Sequence, residues 1–254
     1  IVLIAQDIAC YGKDIKPQFN LAKLLKELVK INDLNWIRLL YCHPDHMTQE
    51  LIYTIAEEDK ICNYLDLPIQ HLSDRITKKM GRTSYQKDIY SLVAKIKDII
   101  PDIAIRSTLI VGFPGETDND FEILKQGLRD LELTWCGFFK YSKEENTFAA
   151  SLPDQVPEDI KIERLQSLMD IQQKITKEEL LKTKGKVLPV LIEEKHFSDD
   201  AYCLGRSYLH APEVDGQMLV KISNNNMLGK ILPVHVVGVS EYDLIGEVIS
   251  ESSQ

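Results

Sequence analysis

Two hydrophobic periods alternate along the first part of the chain. Short apolar runs fall at residues 1–4, 36–41, 64–69, 103–111 and 134–140. Their length and β-branched character suit buried strands. Between them the apolar residues recur at helical spacing. Leu21, Leu24, Leu25, Leu28 and Val29 form one stripe behind Asn20, a good N-cap, and Leu51, Ile52 and Ile55 follow Thr48. Ile89, Leu92, Val93, Ile96 and Ile100 run up to Pro101, and Phe121, Leu124, Leu128 and Leu131 form a fourth stripe. Strands alternating with helices predict an α/β fold with a parallel sheet and right-handed crossovers.

Pro153 and Pro157 mark a change of pattern. Residues 158–182 read as one long polar helix carrying Ile162, Leu165, Leu168, Met169, Ile171 and Ile175, a composition that suits a bridge between domains. Gly185 ends it. From Val187 onward the apolar stretches are short (188–192, 218–222, 231–239, 244–249) and separated by turn residues such as Asp215-Gly216. About five short strands of this kind predict a small all-β barrel of OB type. The expected division is therefore 1–183, an open (β/α) barrel with its bridging helix, and 184–254, the β barrel.

The strand at 103–111 says most about chemistry. It carries Arg106, a charge that is costly in a strand unless paired. It stops in Gly112-Phe113-Pro114-Gly115-Glu116, and Thr117 with Asp120 then forms a capping box. Such a turn leaves backbone N–H groups at the carboxyl end of a strand, where α/β proteins bind ligands. The competing reading is an ordinary βα turn with Arg106 paired to Asp66. Two further strand ends have the same character. The first strand runs into Gln6-Asp7 with Tyr11-Gly12 beyond, and YLDLPIQ ends at Gln70-His71. Three apolar strands ending in polar groups look like a barrel mouth.

Composition narrows the class. Apolar content of 44% with 27% charged residues is globular, and no apolar run approaches the ~20 residues a membrane span needs. The net charge of −9 argues against a broad nucleic-acid surface. Within 187–250, four basic residues face nine acids, a net of −5. Cys10, Cys42, Cys62, Cys136 and Cys203 are odd in number and widely spaced, so neither a disulfide framework nor a zinc or iron–sulfur motif is visible. Cys10 stands out because it lies just past the first strand end. His43 and His46 are spaced i, i+3, but Pro44 disfavours a helix there and no third ligand is evident, so no metal is assigned. Lys78, Lys79 and Arg82 form a basic cluster, read as a solvated face or a contact for an acidic partner.

The segments IVLIAQD, LLYCHPDHM, YLDLPIQHLSDR, IRSTLIVGFPGETDNDF, GFFKYSKEENTFAASLPDQVP, GRSYLHAPEVDG and EYDLIGEV occur in this order from residue 1 to about 248. In combination they resemble the radical S-adenosylmethionine methylthiotransferases, and within them the branch that acts on the small-subunit ribosomal protein uS-twelve. The resemblance implies a partial TIM barrel of radical SAM type followed by a TRAM domain. It departs in two places: the CxxxCxxC segment that ligates the radical-generating cluster is absent, and so is the family's N-terminal domain. With no initiator Met and a first residue already in a strand, the chain reads as a fragment that is inert alone, with no catalytic or metal-ligating residue of its own.

In the complete enzymes of that family the cofactors are S-adenosylmethionine and two 4Fe-4S clusters. One cluster reduces S-adenosylmethionine to a radical that abstracts hydrogen, and the other supplies sulfur, which is inserted as a methylthio group at an aspartate β-carbon. On this resemblance Gln6 and Asp7 meet the amino group of S-adenosylmethionine. Arg106 binds its carboxylate through a charge-assisted bond, and Gln70 meets a ribose hydroxyl or the substrate. The backbone of Gly112, Phe113 and Gly115 approaches the adenine edge, and Phe139 and Tyr141 contact the ring. Glu116 is placed with them, or else bonds backbone near the turn. His71 is read on the substrate side, because enzymes acting on transfer RNA typically carry PLQSGS where this chain reads PIQHLSD. Glu193, Glu194, Asp199 and Asp200 present the acidic surface of the second domain to a basic protein. Transfer RNA is the disfavoured partner, no membrane is involved, and the expected location is cytoplasmic. A transfer-RNA adenosine methylthiotransferase and a non-catalytic adapter built on a decayed barrel are the alternatives.

Overall fold

The computed structural model describes residues 1–15, 19–196, 201–222 and 227–249; Asp199 and Asp200 lie outside the described residues. The chain packs as two units, Ile1–Gln172 and Gln173–Gln254.

In the first unit β1 (Val2–Ile4), α1 (Leu21–Leu28), β2 (Ile37–Leu40), α2 (Gln49–Glu57), β3 (Ile61–Asp66), α3 (Asp74–Lys79), α4 (Gln86–Ile99), β4 (Ala104–Val111), α5 (Asp118–Leu131) and β5 (Trp135–Lys140) alternate as the pattern predicts. The short α6 (Phe148–Ser151) and the long α7 (Glu158–Leu181) follow. Among the described residues the five strands lie in the order β1-β2-β3-β4-β5, every neighbouring pair parallel. The strand side chains Leu39, Leu65, Ile105 and Leu109 are buried, as are Leu25, Ile52, Ile96 and Leu124 of the helix stripes.

The caps are local and form as the sequence dictates. Asn20 accepts from Lys23 N at 2.9 Å and Thr48 Oγ1 from Leu51 N at 3.2 Å. At the start of α5, Thr117 N donates to Asp120 Oδ2 at 2.8 Å while Asp120 N donates back to Thr117 Oγ1 at 3.3 Å. Asp120 also accepts from Ser73 Oγ at 2.6 Å and pairs with Arg75. Burial pushes its carboxyl upward, but the bonds from Arg75, Ser73 and Thr117 outweigh that and hold it well below the usual carboxylate range. A depressed folded-state value means its stabilisation is complete at neutral pH and is lost only as pH falls through that low value.

Two elements differ from the sequence reading. The third strand is Ile61–Asp66 and not 64–69, because Pro68 has no N–H for the ladder. Leu67 N still donates to Arg106 O, and the chain rejoins the sheet as an isolated bridge between Gln70 and Leu109. The helix α3 was not expected; at six residues it is too short to show a stripe. By packing, the two units divide at 172/173, inside α7. Ile175, Thr176 and Leu180 are buried side chains of the helix's C-terminal third, which packs with the second unit.

The second unit holds β6 (Val187–Lys195), β7 (Tyr202–Arg206), β8 (Met218–Lys221), β9 (Ile231–Ser240) and β10 (Asp243–Val248). They close a barrel in the order β10-β8-β7-β6-β9. The β10–β8 pair is parallel and the others antiparallel. Alternate residues Leu188, Val190, Ile192, Val234 and Val236 fill it. Closure brings Gly216 against the backbone of Tyr242, where a Cβ would lie 1.9 Å from the Tyr242 carbonyl oxygen. Gly216→Ala is expected to destabilise this unit by about 2 kcal/mol. Gly238→Ala, where an added Cβ meets nothing within 4 Å, should leave it nearly unchanged. Thermal unfolding followed by circular dichroism distinguishes the two variants; equal midpoints would contradict the packing argument.

Candidate functional site

Because all five strands of the first unit are parallel, their carboxyl ends form one rim. The register places Ile4, Leu40, Asp66, Arg106 and Trp135 in one row across the sheet. Arg106 is thus level with the ends of β1 to β3, while β4 runs on to Val111. The rim is stepped: five further residues of β4 rise roughly 16 Å above Arg106.

On the row's face, Arg106 Nη1 donates to Asp66 Oδ1 at 3.1 Å and lies 3.4 Å from Thr108 Oγ1. Asp66 also accepts from Tyr41 N at 3.2 Å through Oδ2. The structural pairing considered for Arg106 is therefore present. Large apolar side chains share this face without being covered: Ile4 is 70% and Phe139 58% exposed. Register puts Phe139 beside Ile110 on β4, two steps above Gly137, whose absent Cβ would stand 3.3 Å from Arg106 Nη2. The face is amphiphilic, an ion pair flanked by open apolar surface.

The backbone is strained where the strands end. Tyr41, just past β2, has φ 62°, and Gln70, beyond β3, has φ 73°. The left-handed region costs a non-glycine residue about 1–2 kcal/mol, and such outliers gather at functional sites. Gln70 is locked there by its N–H donating to Thr108 O and its carbonyl accepting from Ile110 N, both at 2.8 Å. Tyr41 had no sequence signal, since nothing in an aromatic residue announces a positive φ.

The turn after β4 is held from within. The Glu116 side chain is fully buried; it accepts from Gly112 N at 2.8 Å and from Arg164 Nη1 at 2.8 Å. Arg164 also reaches Asp118 at 2.7 Å. Glu116 therefore secures the turn, and its placement among the ligand contacts is corrected: the carboxylate is out of reach of a ligand in the mouth. His71 is likewise fully buried, with Nδ1 accepting from Ser73 N at 2.9 Å and Nε2 standing 3.4 Å from Glu116 Oε2, too poorly aligned for a hydrogen bond. A substrate-side role for His71 is corrected for the same reason. Gly112 has φ 72°, and a Cβ there would lie 2.3 Å from Lys161 Cγ. Phe113 is buried edge-on to Tyr141, with ring centroids 5.3 Å apart. The hydroxyl of Tyr141 is buried with no hydrogen-bond partner among the described residues. Gly115 N donates to Asp154 O at 2.7 Å. Arg164, on a helix read only as a bridge, is a residue the sequence reading missed.

At the other end of the rim Asp7 caps the 3-10 turn Ile8–Cys10 through Ala9 N at 3.1 Å and accepts from His43 N, also at 3.1 Å. Gln6 lies between Asp7 and β1 and is exposed. Arg82, of the basic cluster, donates to Pro68 O at 2.8 Å, so it is not simply part of a solvated face.

In the second unit Glu193, Glu194, Glu213, Asp215 and Asp243 line a cleft of about 470 Å³ with Arg206. Glu193 is paired with Arg206, which leaves the cleft strongly acidic.

The comparisons with known proteins agree with this geometry. Residues 5–126 match the Radical SAM superfamily and residues 185–249 the TRAM domain. A ribosomal protein uS12 methylthiotransferase RimO of Lachnoclostridium phytofermentans is 44% identical over 97% of this chain and 56% of its own length. The one of Syntrophotalea carbinolica is 43% identical over 99% of this chain and 55% of its own length. The chain spans about half the length of the curated relatives it matches. Coproporphyrinogen III oxidase (HemN) of Escherichia coli, a radical SAM enzyme, superimposes with a TM-score of 0.52 at 15% identity, covering 76% of this chain and 51% of that one, a likeness of fold alone. Over nearly its whole length the chain is thus similar to the radical S-adenosylmethionine methylthiotransferases.

Removing the turn's internal carboxylate tests the site's construction. Glu116→Gln is expected to cost about 3 kcal/mol by leaving Arg164 short of a buried partner. A double-mutant cycle with Arg164→Met in urea unfolding measures the coupling; a coupling near zero would mean that Glu116 does not hold the turn.

Proposed function

We propose that this chain supplies the S-adenosylmethionine-binding barrel and the TRAM module of a methylthiotransferase that modifies an aspartate of ribosomal protein uS12, and that it works in the cytoplasm. That similarity and the acidic cleft carry this reading. Among the described residues no helix is long and apolar enough to cross a membrane.

The mouth of the barrel fits S-adenosylmethionine. The Asp66–Arg106 pair offers both signs of charge to an ammonium and a carboxylate, and Gln70 is fixed at the rim by backbone bonds. Phe139 and Ile4 offer open apolar surface to a flat ring. The residues do not fit a 4Fe-4S cluster: among the described residues no three cysteines converge, and the one metal-competent group contains a single cysteine. In the family, S-adenosylmethionine cleaved at such a cluster supplies the hydrogen-abstracting radical, and that chemistry requires cysteines outside this chain. The present residues bind, orient and exclude water around the reacting groups. S-adenosylmethionine should therefore bind this chain with a Kd above about 100 μM, and Arg106→Ala should weaken it further. Isothermal calorimetry checks this, and tight binding without iron would show a pocket that does not rely on a cluster.

The substrate class rests on charge. Five carboxylates around one arginine repel a phosphate backbone and attract a lysine-rich protein. A basic groove would have favoured transfer RNA. In the cluster-bearing enzyme, Glu194→Lys with Glu213→Lys should raise the KM for uS12 about tenfold at low salt, with the effect shrinking as salt rises. Mass spectrometry of uS12 reads the outcome. An unchanged KM at low salt, or robust methylthiolation of transfer RNA by the unmodified enzyme, would overturn the protein-substrate reading.

A further inference from the structure

At the end of the rim away from the Glu116 turn, a cluster of side chains lies where β1 and β2 end. Asp7 and Cys10 come from the loop after β1, and His46 comes from the 3-10 turn Pro44–His46 after β2. Their donor atoms converge. Cys10 Sγ lies 3.0 Å from Asp7 Oδ2 and 3.0 Å from His46 Nδ1, and His46 Nδ1 contacts Asp7 Oδ2.

The pattern of contacts is chelating and not a relay. In a nucleophile–base–acid relay the two neighbours of a histidine use different ring nitrogens. Here sulfur and oxygen approach the same one, Nδ1, and also approach each other. At most two protons, one on sulfur and one on Nδ1, serve three close contacts, so one contact is left without a proton. A single cation at the centre satisfies all three. Thiolate, imidazole and carboxylate together are the donor set of zinc. Bond lengths of about 2.0–2.3 Å put tetrahedral donors about 3.2–3.8 Å apart, so a cation would widen the two sulfur contacts slightly and the contact between His46 Nδ1 and Asp7 Oδ2 more.

The surroundings support a site. Oδ1 of Asp7 is held by Ala9 N and His43 N, which aims Oδ2 at the cluster, as orienting contacts do for metal ligands. Lys13 Nζ stands 3.5 Å from Cys10 Sγ, and even with it thiolate and carboxylate keep a net negative charge. The side chains of His46 and Asp7 are 37% and 18% exposed, so a fourth position opens to solvent. We propose that Asp7, Cys10 and His46 bind one zinc-class divalent cation with an open fourth coordination position, tying the loop after β1 to the turn after β2.

The test uses the chain after chelator treatment, titrated with Co²⁺ and then Zn²⁺. One equivalent of Co²⁺ should give visible d–d bands and a thiolate charge-transfer band that Zn²⁺ abolishes. Loss of an outer-shell partner already costs up to about 100-fold in affinity, and loss of a direct ligand through Cys10→Ser or His46→Ala should cost at least that. Cys203→Ser, a buried thiol of the other unit, should change nothing. If a variant misfolds by circular dichroism, the unmodified chain still decides: Zn²⁺ should protect Cys10 from iodoacetamide, read by peptide mass spectrometry. Survival of the charge-transfer band in both variants would overturn the proposal. So would rapid alkylation of Cys10 that zinc does not slow, which would mark a reactive thiol instead.

Discussion

The buried carboxylate of Glu116 is the interaction on which one side of the barrel mouth depends. A charge taken out of water must be met on each lone pair or it destabilises the fold. Glu116 meets that demand with the N–H of Gly112 and the guanidinium of Arg164. Those partners come from the end of β4 and from α7, so the carboxylate binds turn and helix together. Arg164 continues to Asp118 in the first turn of α5 and lies over the ring of Phe121. The positive φ of Gly112 and the tight fit of Lys161 against it are consequences, since both elements are drawn to the same point.

The opposite side of the rim is built differently. Near β1 and β2 a part-buried carboxylate, Asp7, gathers backbone N–H groups from two loops, and Asp66 holds the N–H of Tyr41. The strain at Tyr41 and Gln70 lies between these two regimes. A strained residue persists only where its surroundings over-determine it, and both are over-determined by backbone bonds to the neighbouring strand or loop. Tyr41 O accepts from Ile8 N at 3.1 Å, while Gln70 is bonded to β4 on both sides. These backbone bonds fix both strained residues beside the open apolar surface of the rim.

What the sequence revealed follows the range of each interaction. Asn20, Thr48 and Thr117 were legible as caps because their partners lie three residues away. Asp66 and Arg106 were legible as a pair because each is a charge in an apolar strand, and adjacent strands leave few other partners. Arg164 was not, since a polar residue on a polar helix looks solvated until the turn it meets, 48 residues distant, is placed. Glu116 and His71 looked accessible in a motif that packs them away. The cluster of Asp7, Cys10 and His46 was half visible: Pro44 ruled out the helix that would have aligned His43 with His46, and the missing donors came from another strand end. Among the strands, β7 lacked an apolar run and shows its role only through alternation, with Cys203 and Gly205 facing in.

Charge and shape are set differently in the two units. In the barrel a few groups must be fixed to fractions of an ångström, which explains why the sequence commits buried ion pairs and strained backbone there. The acidic cleft needs no such accuracy. Its carboxylates act through a field that reaches about 8 Å at physiological ionic strength. Glu193 is nonetheless held, because its pairing with Arg206 orients one wall of the cleft across the β6–β7 ladder. Asp215 and Asp243 are held as well, by the N–H groups of Ala211 and Gln217, so most of the cleft's charge is fixed in place by the barrel's own loops.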